Sequence, residues 1–451
     1  MHARCLAALF ALTASVASVS LANAAHAQEN ELAGLRSATK AARNDVPASR
    51  ALGRGLLRAG RYREAETELR RAARLQRNAP EAVYALAGVA FAQGDYRRAQ
   101  SACRPLVSRT RGATPTVWAR LCNARTFLVW NRSSRAFEEL EAALALEPQN
   151  VDALLALGDA HRLRADVPNA ETAYRHAAEA APGRAEPHLG LGRLYAAAGR
   201  REEAIAELRR AVAIDATDPD SSFELGRLLG GTEEAQQLLQ KAVVGRPTWA
   251  DAQAALGDSL LASNNPTAAE AAFAAAIRLN DHLAVAHTGL GRAKAARGDL
   301  VGAEASLRRA LELVPNSPEG ARALADLLAQ KQDYEGAFEQ YRLAADLDPR
   351  NPAALLLATR LALTVNRDVL AAAFLDRMLE ARPDLAEGLA LYGDVMMARS
   401  DRNGARDYYQ RALRGNGELR ERARVEAALR TLAPPPPSRP ATRPAPPRPR
   451  H

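Results

Sequence analysis

Ten charged side chains share one sequence context. Arg54, Arg125, Asp159, Arg193, Arg227, Asp258, Arg292, Asp326, Arg360 and Asp394 each stand directly after a small residue, and from Arg227 onward the sign alternates at every step. A row of alternating acids and bases supports two kinds of chemistry. It can close on itself as a ladder of ion pairs, each worth about 0 to 1 kcal/mol when exposed. It can instead present donors and acceptors in turn to an extended peptide or polar polymer. Arg50, Arg54 and Arg58 form a second basic row, because a spacing of four places them on one helix face.

No catalytic constellation accompanies these charges. The chain has no G-x-S-x-G, no H-E-x-x-H and no Walker-type lysine loop. His161, His176, His188, His282 and His287 are scattered without metal-ligand spacing. The expectation is therefore a protein that is not an enzyme and needs no cofactor or metal. Cys103 and Cys122 leave two readings open. They bridge in an oxidising compartment, or they pack as a pair of small apolar residues, and spacing alone does not supply the Cβ geometry that would decide.

The elements that must position the charged row are legible as a repeat. A small residue, usually Gly after Leu, recurs at Gly53, Gly158, Gly192, Gly226, Gly257, Gly291 and Gly393. An Ala follows twelve residues later in most units and another seven after that, as at Ala204 and Ala211. Successive units are 34 residues apart, as from Gly158 to Gly192, which is the signature of a solenoid. Within each unit the apolar residues recur at three and four, so each unit reads as two helices with their small residues facing one another. Gly60, Gly94 and Gly298 suit the turn between helices, where a left-handed residue ends the first one. Prolines such as Pro148, Pro182 and Pro315 stop the second helix. Pairs such as Asp218-Pro219, Ser317-Pro318 and Asn351-Pro352 start the next unit. Tyr174, Phe273, Tyr341 and Tyr409 occupy the one large interior position, whereas Trp118, Trp130 and Trp249 fall outside it.

The pattern resembles the tetratricopeptide repeat family, carried most fully by Leu157-Gly158, Ala170, Tyr174, Ala177 and Pro182 and by Leu191-Gly192, Tyr195, Ala204, Leu208 and Ala211. The resemblance spans eleven units over residues 47–417. It implies an all-α, right-handed superhelical solenoid whose concave surface, formed by the first helix of each unit, holds a protein or peptide partner. The ten charged residues fall on that first helix and, by the same resemblance, face the groove. The Lys and Asn residues of the family's clamp for a C-terminal carboxylate are missing. Terminal repeats need covers with a polar outer face, expected here as capping helices over residues 28–46 and 418–432, the second through Leu419, Ala423 and Ala427.

Charge and compartment bound the partner. The 451 residues carry a net charge of +9, which falls to +4 once Arg4 and the four arginines of the Pro/Arg-rich segment 433–451 are set aside, so no nucleic-acid partner is expected. Residues 1–27 read as a cleavable signal peptide: Arg4, an apolar run from Cys5, then A-x-A sites ending at Ala24 and Ala27. No later segment is apolar enough to span a bilayer. The expectation is thus a periplasmic or secreted scaffold in an envelope complex for polysaccharide synthesis, export or envelope assembly. Its alternatives are an accessory subunit of an envelope enzyme, or a binder of an anionic polymer through basic groove and tail.

Overall fold

The computed structural model describes residues 29–76, 79–107, 116–349 and 351–432, so the expected signal peptide and the Pro/Arg-rich tail lie outside the described residues. Among those residues the regular elements are helices, with one isolated bridge between Leu385 and Asn416. A helix over residues 29–41 precedes eleven helix pairs. The first six pairs are Val46–Arg58 with Tyr62–Leu75, Pro80–Ala92 with Tyr96–Val107, Val117–Val129 with Ser133–Leu146, Val151–Leu163 with Val167–Ala180, Glu186–Ala197 with Arg201–Ile214, and Pro219–Leu229 with Glu233–Gly245. The remaining five are Ala250–Ala262 with Pro266–Leu279, Ala284–Ala296 with Leu300–Leu313, Pro318–Gln330 with Tyr334–Leu347, Pro352–Thr364 with Asp368–Ala381, and Ala386–Ala398 with Arg402–Arg414. We number these pairs repeats one to eleven; a last helix, Arg422–Leu432, follows them. The chain divides into two compact bodies, one running through Ala293 and the other from Lys294.

Short polar side chains start the helices. Asp45, Asn150, Asp218 and Ser317 each accept the backbone N–H three residues on, at 2.8 to 3.0 Å, which satisfies a donor that the helix itself leaves unpaired. Between the two helices of every repeat stands one residue in the left-handed region. It is glycine at Gly60, Gly94, Gly199, Gly230 and Gly298, but Asn131, Ala165, Asn264, Gln332, Asn366 and Ser400 take the same place. Two backbone bonds hold the turn: at Asn131, its own N–H donates to the Leu128 carbonyl at 3.0 Å and the Arg132 N–H to that of Phe127 at 2.8 Å. That pair of hydrogen bonds is the helix-ending motif that offsets the steric cost of a side chain there.

Each large residue fills a slot between small ones. Tyr174 is buried against Gly158 of its own repeat and Gly190 of the next; a Cβ at either glycine would stand 2.6 Å from its ring. Phe273 lies in the same way between Gly257 and Gly289. The alanines at the flanking positions, such as Ala170, Ala177, Ala204 and Ala211, are fully buried and let the helices approach.

At the carboxy-terminal end the covering face differs from the one the spacing predicts. The last helix begins at Arg422, not Glu418, because the chain first turns through Gly417 after Asn416 pairs with Asp384 and Ala386. Val425 and Leu432 therefore point inward with Ala428 and Leu429 beside them, while Ala423 and Ala427 are exposed. Leu419 still packs against repeat eleven, from the turn that precedes the helix. At the other end Leu32 is buried against repeat one. Cys103, in the second helix of repeat two, forms a disulfide with Cys122, in the first helix of repeat three, with Cα atoms 5.8 Å apart.

Candidate functional site

In the amino-terminal body the first helices of repeats one to five line a chamber of 1280 Å³. Arg50, Arg54 and Arg58 enter it from repeat one, Tyr84 and Phe91 from repeat two, Arg125 from repeat three, Asp152 and Asp159 from repeat four, and Arg193 from repeat five. The arc closes on itself. Arg58 donates to Asp215 at 2.5 Å and to Glu31 at 3.2 Å, the Thr217 hydroxyl donates to Glu31 at 3.1 Å, and Arg246 donates to the Arg58 carbonyl at 3.3 Å. The long-range contacts among these join residues 157 to 188 positions apart, so the amino-terminal helices meet the turns at either end of repeat six.

Seven acids and seven arginines line the chamber, and pairing decides what is left over. Asp152 takes Arg184 at 3.2 Å and Arg54 at 3.8 Å. Arg193 donates to Glu224 at 2.8 Å and Asp220 at 3.4 Å, and Arg162 to Asp159 at 3.4 Å. Arg50 pairs with Glu81. Arg125 is the exception: among the described residues no carboxylate lies within ion-pair distance of it. Its guanidinium lies over the rings of Phe91 and Tyr84, at 4.8 and 5.6 Å from their centroids. Such stacking orients a cation without neutralising it. The chamber thus offers one pre-positioned, uncompensated positive charge among apolar walls that include Leu57, Leu128 and Leu155.

The charged row divides along these lines. Arg54, Arg125, Asp159 and Arg193 come together in the chamber; Arg227, Asp258 and Arg292 lie beyond it in the same body, and Asp326, Arg360 and Asp394 belong to the other. Among the described residues the Asp-to-Arg ladder forms at one step, Asp258 to Arg292 at 3.8 Å. Elsewhere the partners are different. Tyr174 donates its hydroxyl to Asp159 at 2.7 Å, Tyr409 to Asp394 at 2.6 Å, and Tyr341 to Asp326. Burial, and then the adjacent Asp159 charge, raise the Tyr174 hydroxyl far above its ordinary value, so it stays a donor at any physiological pH. The arginines reach an acid in the first turn of the next repeat instead, Arg193 to Asp220 at 3.4 Å and Arg360 to Glu387 at 2.6 Å. Arg227 turns back to Glu224 at 3.8 Å and over Phe223. Asp394 also holds Arg424 of the last helix, at 2.6 and 2.9 Å.

These bonds support a prediction. Tyr174→Phe keeps the ring and removes the donor, leaving Asp159 with Arg162 alone. The expected loss is about 1.5 kcal/mol, the usual range for a hydrogen bond to a charged group. Urea unfolding monitored by circular dichroism checks it, and no measurable loss would show that water replaces the hydroxyl without cost.

Residues the sequence reading passed over complete the site: Asp152, Arg184, Asp215 and Asp220. Part of their signal was available. An arginine of the row is followed 27 residues later by an acid at Arg193 and Asp220, and at Arg360 and Glu387. By the same count Asp152 belongs to Arg125, but the closed arc gives it to Arg54 and Arg184. That diversion is what leaves Arg125 without an acid.

Two family models of the tetratricopeptide repeat match the chain, one at residues 123–185, 223–284, 254–318 and 288–352, the other at 56–121 and 163–222. No curated protein matches in sequence. Among solved structures, the human IFIT1 dimer with m7Gppp-AAAA is 18% identical over 82% of this chain and 90% of that one, with a TM-score of 0.50. Yeast Tom70 is 13% identical over 93% and 96%, at a TM-score of 0.46. A thermophilic TPR protein of Thermus thermophilus is 25% identical over 40% of this chain and 99% of its own, at 0.37. At these identities the likeness is one of fold.

Proposed function

Since the chain belongs to the tetratricopeptide repeat family, a family of protein-interaction scaffolds, we propose that it is a non-enzymatic scaffold that holds a peptide segment of a partner protein in the amino-terminal chamber. The observation that supports this most is Arg125. It is an arginine without a carboxylate among the described residues, braced by two rings and facing a cavity large enough for several side chains. An extended segment can set an acidic side chain on Arg125 and apolar ones against Leu57, Leu128 and Leu155, while the paired charges around them stay satisfied. The work of such a site is capture, with no bond made or broken.

The same reading puts the protein outside the cytoplasm, in an envelope complex for polysaccharide synthesis, export or assembly. The basis is the pattern of residues 1–27 and the Cys103–Cys122 disulfide, which suits an oxidising compartment. No described helix is long and apolar enough to cross a membrane.

Site-specific photocrosslinking in cells tests the proposal. A crosslinking residue at Leu57 or Leu128 is expected to trap a partner that the same residue at exposed Glu179 does not. Arg125→Gln is expected to weaken that trapping at least tenfold with helicity unchanged. Equal trapping from Glu179 would place the partner surface outside the chamber. Amino-terminal sequencing of the product recovered from the cell, expected to start after Ala24 or Ala27, tests export separately.

A further inference from the structure

A second basic feature lies outside the chamber's paired network. Arg132, Ser133, Ser134 and Arg135, at the turn of repeat three, and Arg164, at the turn of repeat four, line one open cleft of 570 Å³ with Asn131. None of the three arginines has a carboxylate within ion-pair distance among the described residues. Each is instead laid over an aromatic ring: Arg132 over Trp130 at 5.8 Å, Arg135 over Phe127 at 6.0 Å and Arg164 over Phe137 at 5.4 Å. Three like charges in one cleft repel one another, and the rings hold them there without supplying a counter-charge.

The cleft is lined by cationic donors and neutral polar groups, with no carboxylate among its lining residues. The 14-residue second helix of repeat three begins at Ser133 with no side-chain cap and no acid in its first turn. Other repeats treat this position differently. Where an arginine precedes the second helix elsewhere, it is neutralised: Arg61 by Glu64, Arg200 by Glu203 and Glu171, Arg367 by Glu335 and Glu339. Here the corresponding arginine gains two more arginines and two serine hydroxyls without protein partners among the described residues. A carboxylate would leave most of this charge unbalanced, whereas a phosphate brings between one and two negative charges and three strong acceptor oxygens.

We propose that this cleft is a phosphate-binding site, at which the Arg132, Arg135 and Arg164 guanidiniums bind a phosphate group, with the Ser133 and Ser134 hydroxyls and the first helical amides completing its shell. Trp130, 46% exposed beside Arg132, provides a surface for whatever carries the phosphate. The bearer is a soluble phosphate chain or a lipid headgroup, and the two are separable by experiment.

The test uses the full purified chain at low ionic strength. Calorimetric titration with tripolyphosphate and flotation with phosphatidylcholine vesicles containing phosphatidic acid are run side by side, with citrate as the carboxylate control. R132Q/R135Q/R164Q is expected to weaken binding at least tenfold. R63Q/R97Q/R278Q, which removes the same charge from sites elsewhere on the surface, is expected to leave it within twofold. All six positions are at least partly exposed, so both variants should melt as the parent does. Tripolyphosphate binding that the first variant loses supports the site with a soluble phosphate as ligand; vesicle binding lost in the same way supports it with a lipid headgroup. The proposal fails if neither probe binds, if citrate binds as tightly as tripolyphosphate, or if the two variants lose affinity equally.

Discussion

Phe273→Ala is expected to cost about 3 to 5 kcal/mol, the range for truncating a buried aromatic side chain. The slot explains why the upper part of that range applies. Phe273 is fully buried between Gly257 and Gly289, and neither glycine has a side chain that can move into the space left behind. The cost of a core truncation grows with the volume that fails to collapse. Phe273→Leu should lose much less, because leucine fills the same slot as Leu69, Leu140 and Leu208 in repeats one, three and five, each fully buried. Stability in a repeat array is a sum of local terms, so hydrogen exchange should quicken first in repeats seven and eight. Urea unfolding of the two variants provides the comparison, and a loss below about 1 kcal/mol for alanine would mean that the glycine helices close over the gap.

That slot also explains the alternating charges better than a ladder does. Arg54, Arg125, Arg193 and Arg360 stand fifteen residues before Leu69, Leu140, Leu208 and Leu375. Asp159, Asp326 and Asp394 stand fifteen before Tyr174, Tyr341 and Tyr409, and Asp258 fifteen before Phe273. The sign at the surface therefore tracks the residue in the core. A tyrosine in the slot reaches the first helix with its hydroxyl and calls for an acceptor there, whereas a leucine does not and leaves the place to an arginine; Phe273 offers no hydroxyl, and Asp258 pairs with Arg292 instead. This correlation was present in the sequence, as were the helix pairs, the starting caps and the large interior position, because all of these depend on residues within one or two repeats. The left-handed turn residues were half visible: glycine marks five of eleven turns, and in the others backbone bonds hold an ordinary residue in place. The chamber was not visible at all. Its closure joins Arg58 to Asp215 and Arg246, and those meetings depend on the curvature accumulated over five repeats, to which no single residue contributes a distinctive signal. The release of Arg125 from Asp152 follows from that closure, which is why the residue reads in sequence as one more member of a row.

Reducing the Cys103–Cys122 disulfide is expected to lower stability by about 3 kcal/mol, the loop-closure entropy for a link of this span. Position supplies a second contribution that can be separated from the first. Cys103 occupies in repeat two the slot that holds leucine, tyrosine or phenylalanine in the repeats already named. Cys122 stands two residues before the small Ala124, as Gly190 and Gly289 stand before Gly192 and Gly291, and that is the place against which the slot residues of repeats four and seven pack. The two sulfurs thus share a space that a single large side chain fills elsewhere. Reduction removes the link but keeps both sulfurs in the space, so the loss should stay near the loop-closure value. Cys103→Ala with Cys122→Ala removes link and volume together and should lose more, since a void adds its own cost. Cys103→Leu with Cys122→Gly rebuilds the large-against-small packing of the other repeats without the link, and should return to the stability of the reduced protein but not of the oxidised one. Urea unfolding of these forms, with thiols titrated in the denatured oxidised chain to confirm the bridge, separates the contributions. If the leucine and glycine pair matched the oxidised parent, the bridge would act as a filler of space alone.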